Sequence, residues 1–115
     1  MKKDIAMKWI KALESGKYKQ ATGQMRIKEF DGSYSYCCLG VLRHEVLGKK
    51  NAALSNGTKC SYLSLKDVND CGLKTNDPTT KINDEGKTEY LSSLNDEGKD
   101  FKFIAGLIRK NWKDL

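Results

Sequence analysis

The sequence predicts an α+β fold, one domain over residues 1–115, with about four helices (5–15, 38–47, 65–71 and 101–112) and two short β-hairpins (24–36 and 79–91). Three observations carry that reading. Phe101, Ile104, Ala105, Ile108 and Trp112 recur at three and four residues, the spacing of one helix face. Residues 24–30 alternate apolar Met25, Ile27 and Phe30 with polar neighbours, then pass through Asp31-Gly32 into a second alternating stretch, a hairpin pattern. The length of 115 residues suits one domain with an ordinary core and leaves none for a second.

The first helix is expected over 5–15, capped by Asp4, with Ile5, Trp9, Ala12 and Leu13 on one face and Met7 and Ile10 beside it. Ser15-Gly16 should end it, since glycine takes the left-handed conformation without steric cost. Residues 17–23 are polar and read as irregular. In the first hairpin Asp31-Gly32 suits a turn whose two positions need positive φ, and Tyr34 and Tyr36 alternate with Ser33 and Ser35 as in a half-buried strand. That strand runs directly into the helix 38–47, where Leu39, Leu42, Val46 and Leu47 fall at helical spacing and Val41 widens the stripe. Residues 34–47 are the densest apolar run in the chain and read as its buried centre.

Residues 48–64 read as a variable loop, rich in Lys, Asn, Ser and Gly. Ser64 can cap the helix 65–71, which Gly72 would close. Asn76-Asp77-Pro78 marks a turn, and Asn83-Asp84-Glu85-Gly86 joins the strands of the second hairpin. Leu91 and Leu94 belong to a helical turn ending at 95–98. Asp100 can then cap the last helix, and Lys110 and Lys113 suit the negative end of its dipole. Phe103 and Leu107 flank its stripe, either widening the core face or offering a surface to a second copy.

The formal charge is +6 and unevenly spread. Residues 1–30 carry eight Lys or Arg against three acids, and residues 99–115 five against two, so packing the first and last helices together would make a basic surface suited to an anionic partner. With three arginines, Arg26, Arg43 and Arg109, the chain lacks the arginine clusters of a duplex DNA reader. No run of about 18 apolar residues exists and the N-terminus has no apolar export stretch, which predicts a cytoplasmic protein without a membrane partner. Of Cys37, Cys38, Cys60 and Cys71, none forms a Cys-x-x-Cys chelate, so buried reduced thiols are expected and neither a metal nor a cofactor is. A thiol mechanism with His44, the only histidine, fails on geometry. Cys38 lies roughly on the opposite helix face, and Cys37 lies about 10 Å along the axis. The chain reads as a non-enzyme.

Three separated motifs are similar to those of a known family. They are Trp9-x-x-Ala12-Leu13-x-Ser15-Gly16-x-Tyr18-x-Gln20, Tyr36-Cys37-Cys38-Leu39-Gly40-Val41-Leu42, and Leu91-x-x-Leu94-Asn95-Asp96-x-Gly98-x-x-Phe101-x-x-Ile104-Ala105. The chain resembles a family of small, functionally uncharacterised accessory proteins of tailed bacteriophages and prophages. Its members usually carry glutamate where Phe103 stands, completing a capping box that this chain lacks. The resemblance implies a protein acting in the host cell cytoplasm, on the host rather than in the virion.

Within it, Lys17, Tyr18, Gln20, Asn95 and Asp96 stand beside helix ends, where binding groups are usually found. Alternatively, Gln20, Asn95 and Asp96 satisfy backbone groups at those ends. As a ligand site, Lys17, Lys19 and Arg26 could meet phosphates, Tyr18 and Tyr36 could stack on a base, and Gln20 or Asn95 could read its edge. The favoured function is therefore non-catalytic binding of a small anionic ligand, such as a nucleotide or cyclic nucleotide serving as an immune signal. A protein-binding inhibitor of a host enzyme is the alternative, and a nucleic-acid-binding accessory protein the third.

Overall fold

The computed structural model describes residues 1–49 and 62–115. Most of the expected loop 48–64, with Cys60, lies outside these residues. The fold is α+β. Helix α1 (Lys3–Glu14) leads through β1 (Lys19–Gln20) to the hairpin β2 (Arg26–Lys28) and β3 (Tyr34–Tyr36), then to α2 (Cys38–Val41), whose last turns, Leu42–Val46, widen into a π-helix. After α3 (Leu65–Cys71) come a second hairpin, β4 (Thr79–Lys81) and β5 (Thr88–Tyr90), α4 (Leu91–Asp96), and α5 (Phe101–Asn111) with a 3₁₀ turn at Trp112–Asp114.

Helices α1 and α5 pack against each other, which brings the two basic ends of the chain together, and α2 and its π-helical extension also pack on α1. The stripes read from sequence form the core: Trp9, Leu13, Leu39, Leu42, Leu91, Ile104 and Ile108 are all buried. The indole of Trp9 also donates to the Cys38 carbonyl at 2.9 Å, so this large apolar group leaves no polar atom unpaired. Chain ends are tied in as well, the terminal amine donating to the Leu115 carbonyl at 2.7 Å.

Caps agree with the sequence at three ends and differ at one. Asp100 accepts from the Phe103 amide at 2.8 Å, Ser64 and Asp67 form a reciprocal capping box, and Gly72 closes α3 at φ 68°. Asp4, expected as the first cap, instead lies in the first turn of α1, with Lys2 at the cap position making no side-chain bond. There its carboxylate still favours the positive end of the helix dipole.

Four expectations about the first sheet are corrected. Residues 17–23 are not irregular throughout, because Lys19 and Gln20 pair in parallel with Ser35 and Tyr36, making a three-stranded sheet of order β1-β3-β2. The hairpin turn spans three residues: Gly32 N donates to Glu29 O at 3.1 Å and Glu29 N to Ser33 O at 2.8 Å, with Gly32 at φ 87°. That geometry puts Phe30 at the tip, wholly exposed, rather than in the core. Ser35, read as outward, is buried, and its hydroxyl donates to Glu29 at 2.6 Å. Phe103 is exposed and Leu107 half-buried on α5, so the core stripe does not extend to the Phe103 ring.

The π-helical stretch has no signature in the apolar pattern, since Leu42 and Val46 hold the same order in either winding. Its wider turn lets three successive residues reach three different elements. Arg43 pairs with Asp67 of α3 at 3.3 Å, His44 meets Tyr36 of β3, and Glu45 accepts from Tyr18 ahead of β1. Buried Asp67 also receives Lys49 and the Ser64 amide. Burial would raise its carboxyl, but these partners prevail and hold it below the ordinary carboxylate value.

Two outcomes follow. A Cβ at Gly40 would stand 1.9 Å from the Met25 carbonyl oxygen, a backbone atom that cannot swing away. Overpacking typically costs about 1–3 kcal/mol, so Gly40→Ala should lie near the top of that range, read as a lower urea midpoint at unchanged slope. A depressed carboxyl contributes stability above the unfolded pKa of about 3.9, lost as pH falls through the folded value. In urea unfolding across acid pH, the stability gap between the wild type and Asp67→Asn should therefore be widest above about pH 5 and narrow as pH falls below about 4.

Candidate functional site

Six of the seven residues singled out from sequence fall into two groups, one a network around buried Asn95 and one an aromatic cluster, and Arg26 stands apart from both. Gln20, Asn95 and Asp96 make the first. Asn95 is fully buried, and each of its four hydrogen-bonding positions is engaged. Its Oδ1 accepts from the Cys38 amide at 3.1 Å and from Gln20 Nε2 at 2.9 Å; its Nδ2 donates to Ala21 O at 2.7 Å and to Asp96 Oδ1 at 3.2 Å. Asp96 also accepts from the Gly23 amide at 2.9 Å, and Gln20 donates to Lys99 O at 2.7 Å. The Cys38 amide is one of the unpaired donors at the start of α2, so Asn95 supplies a cap from a distant helix.

Lys17, Tyr18 and Tyr36 come together in the second group, with His44 and Glu45 added by the π-helical stretch. Tyr18 meets Tyr36 edge to face at a ring separation of 5.3 Å and His44 at 5.7 Å, while Tyr36 and His44 lie 4.8 Å apart. The Tyr36 hydroxyl is 3.3 Å from His44 Nδ1. The Tyr18 hydroxyl donates to Glu45, which Lys17 also approaches at 3.7 Å. Burial and that carboxylate raise the Tyr18 phenol well above its ordinary value, and burial raises Tyr36 against the opposing field of Arg26. Both remain protonated at neutral pH. Arg26 pairs with Tyr36 in the sheet and stacks on Tyr34 at 4.3 Å, on the β2 side, while Tyr18 leads into β1 on the other. Tyr18 rests on Tyr36 and His44.

Beside this cluster a cleft of about 290 Å³ opens between α1 and the π-helical stretch, lined by Lys8, Lys11, Ala12, Ser15, Lys17, Glu45 and Val46. It lies at the lower end of the range for small-molecule sites, about 300 Å³ upward. Three ammonium groups face one carboxylate, and Lys8 and Lys11 have no carboxylate partner among the described residues. Sequence reading found Lys17 and missed Lys8, Lys11 and Glu45. The i, i+3 spacing of Lys8 and Lys11 was visible, but such pairs are ordinary on a solvated helix face.

A family model described as a domain of unknown function (DUF8296) matches residues 1–112. The chain belongs to this family. No curated protein and no solved structure matches it. Cleft, aromatic cluster and the Asn95 network all lie inside the DUF8296 match, so the site is part of the family domain itself.

The described cysteines are free and buried, and burial pushes the Cys37 and Cys71 thiols up to about 11 and Cys38 well above its usual value. Cys37 instead caps α2, its sulfur accepting from the Gly40 amide at 3.4 Å. Among the described residues no cluster of His, Cys, Asp and Glu could hold a metal ion, and no helix is long and apolar enough to cross a membrane.

Stranding a buried backbone group costs about 1–3 kcal/mol. Asn95→Ala strands two, Ala21 O and Cys38 N, and should cost about 3 kcal/mol in urea unfolding, whereas Gln20→Ala, half in solvent, should cost less than about 1 kcal/mol.

Proposed function

We propose that this DUF8296 chain is a phage accessory protein that acts in the host cytoplasm by binding a small anionic ligand without chemistry, sequestering a nucleotide-type immune signal. The observation that carries the proposal is the convergence of Lys8, Lys11 and Lys17 on one cleft holding a single carboxylate. An ammonium is a point charge with three donors and meets phosphate oxygens from any direction, so three around a concavity select for charge more than shape. Tyr18 does not line the cleft but donates to Glu45, which does, and its ring is propped by Tyr36 and His44. The proposal needs no nucleophile, and the Cys37 and Cys38 thiols are poor candidates because burial disfavours their thiolates. The phage setting rests on the resemblance of the three sequence motifs.

Thermal unfolding in a panel of adenine and guanine nucleotides, cyclic dinucleotides and cyclic ADP-ribose-type signals tests it. A ligand present at a hundredfold its dissociation constant adds about 2.7 kcal/mol, a shift of several degrees for a domain of this size. One ligand should produce that shift in the wild type and lose it in Lys8→Ala/Lys11→Ala, whose exposed positions leave the fold intact. No shift from any ligand would sink the proposal. Docking on a host protein would then lead, favoured by the wholly exposed Phe30 at the hairpin tip with Tyr34 nearby.

A further inference from the structure

Lys11 in the last turn of α1 and Ser15 at its C-terminal cap are one turn apart and line two concavities at once. On one side is the lysine cleft; on the other is an open groove of about 430 Å³ between α1 and α5, formed with Met7, Ile10, Glu14 and Arg109. The division follows from helix geometry. At about 100° per residue, Lys8 and Ala12 turn to one flank of the Lys11–Ser15 ridge, and Met7, Ile10 and Glu14 to the other. The flanks differ in chemistry: the first is cationic, while the second has an apolar floor of buried Ile10 and Met7, 38% exposed. Its wall is the Arg109 guanidinium, held in place by Glu14.

Building on the anion-binding proposal, we infer that the ligand straddles this ridge. Its phosphate lies among Lys8, Lys11 and Lys17, and its base lies on Met7 and Ile10 beside Arg109. The ligand class is thereby a nucleoside phosphate, not inorganic phosphate or a polyphosphate alone. A thioether packs well against an aromatic ring, and a planar guanidinium stacks on its face. Lys11, long enough to lean to either flank, serves both halves. Its sharing explains how a cleft too small for a whole nucleotide could still select one.

Calorimetric titration of the full chain with pyrophosphate and with adenosine and guanosine diphosphates separates the two halves of the site. A nucleoside diphosphate should bind about tenfold more tightly than pyrophosphate, the advantage expected from laying one base on the apolar floor beside the guanidinium. Met7→Gln, neutral and nearly the same length, should remove that advantage and leave pyrophosphate binding unchanged; Arg109→Ala is the second such variant and should do the same. Lys8→Ala should weaken all three ligands together. Equal binding of pyrophosphate and both nucleotides, or nucleotide binding indifferent to both Met7→Gln and Arg109→Ala, would overturn the straddling inference while leaving the anion cleft standing. Failure of pyrophosphate and both nucleotides to bind at all would overturn the cleft and this inference with it.

Discussion

Cys38 is the point on which the fold depends, because three contacts fasten two other helices, α1 and α4, to one residue. Its amide is held by Asn95 of α4, its carbonyl by the Trp9 indole of α1, and its thiol lies 3.6 Å from the Leu91 carbonyl. The residue is fully buried, so each of these bonds forms where an unpaired group would meet no water. Gly40 belongs to the same constraint, for only a residue without a side chain lets α2 rest on the Met25 backbone. The Asn95 amide extends the fastening to the end of β1 through Ala21 O. Sheet, α1 and α4 are thus positioned by polar contacts within an apolar core, and it is the satisfaction of every partner that makes such a network specific.

The candidate site inherits its geometry from that junction. With α2 fixed at its start, the π-helical turns deliver Glu45 to Tyr18 and His44 to Tyr36, while Arg43 and Lys49 anchor the far end to Asp67. A π-helical turn is less favourable than an α-helical one and is frequent at functional sites. Here it has a visible use, since each of three consecutive side chains closes a separate contact. The cleft is bounded by this stretch on one side and by α1 on the other, two elements that pack directly on each other. Rigid walls of this kind hold charges together that would otherwise separate.

The parts of the fold legible in sequence are those where burial imposes a period. The α1 and α5 stripes, the short helix at Leu91 and the two hairpins all follow from local spacing and turn chemistry. What was not legible depends on partners far away along the chain. A parallel two-residue strand such as Lys19–Gln20 exists only because Ser35 and Tyr36 lie beside it. The alternation around Tyr34 placed Ser35 opposite Tyr36 but left it exposed, whereas both faces of β3 are covered there, and period-two reasoning assumes one wet face. Phe30 looked apolar and therefore inward, but loop length decides what sits at a hairpin tip, and Asp31-Gly32 is compatible with either a two- or a three-residue loop. At the site, Lys17, Tyr18 and Tyr36 were found because they adjoin recognisable motifs. Lys8 and Lys11 were not, because a lysine on a solvated helix carries no local mark of what faces it across a cleft.

Charge placement closes the argument about the surface. Most described ion pairs are exposed, as between Lys66 and Asp70 or Lys110 and Asp84, and pairs of this kind contribute about 0–1 kcal/mol each. Stability therefore does not dictate where the lysines lie. Gathering Lys8, Lys11 and Lys17 around one concavity is mildly unfavourable for the folded chain, because like charges repel even across solvent and most strongly at low salt. An arrangement that the fold does not need and that electrostatics opposes is what supports the proposal of a bound anion.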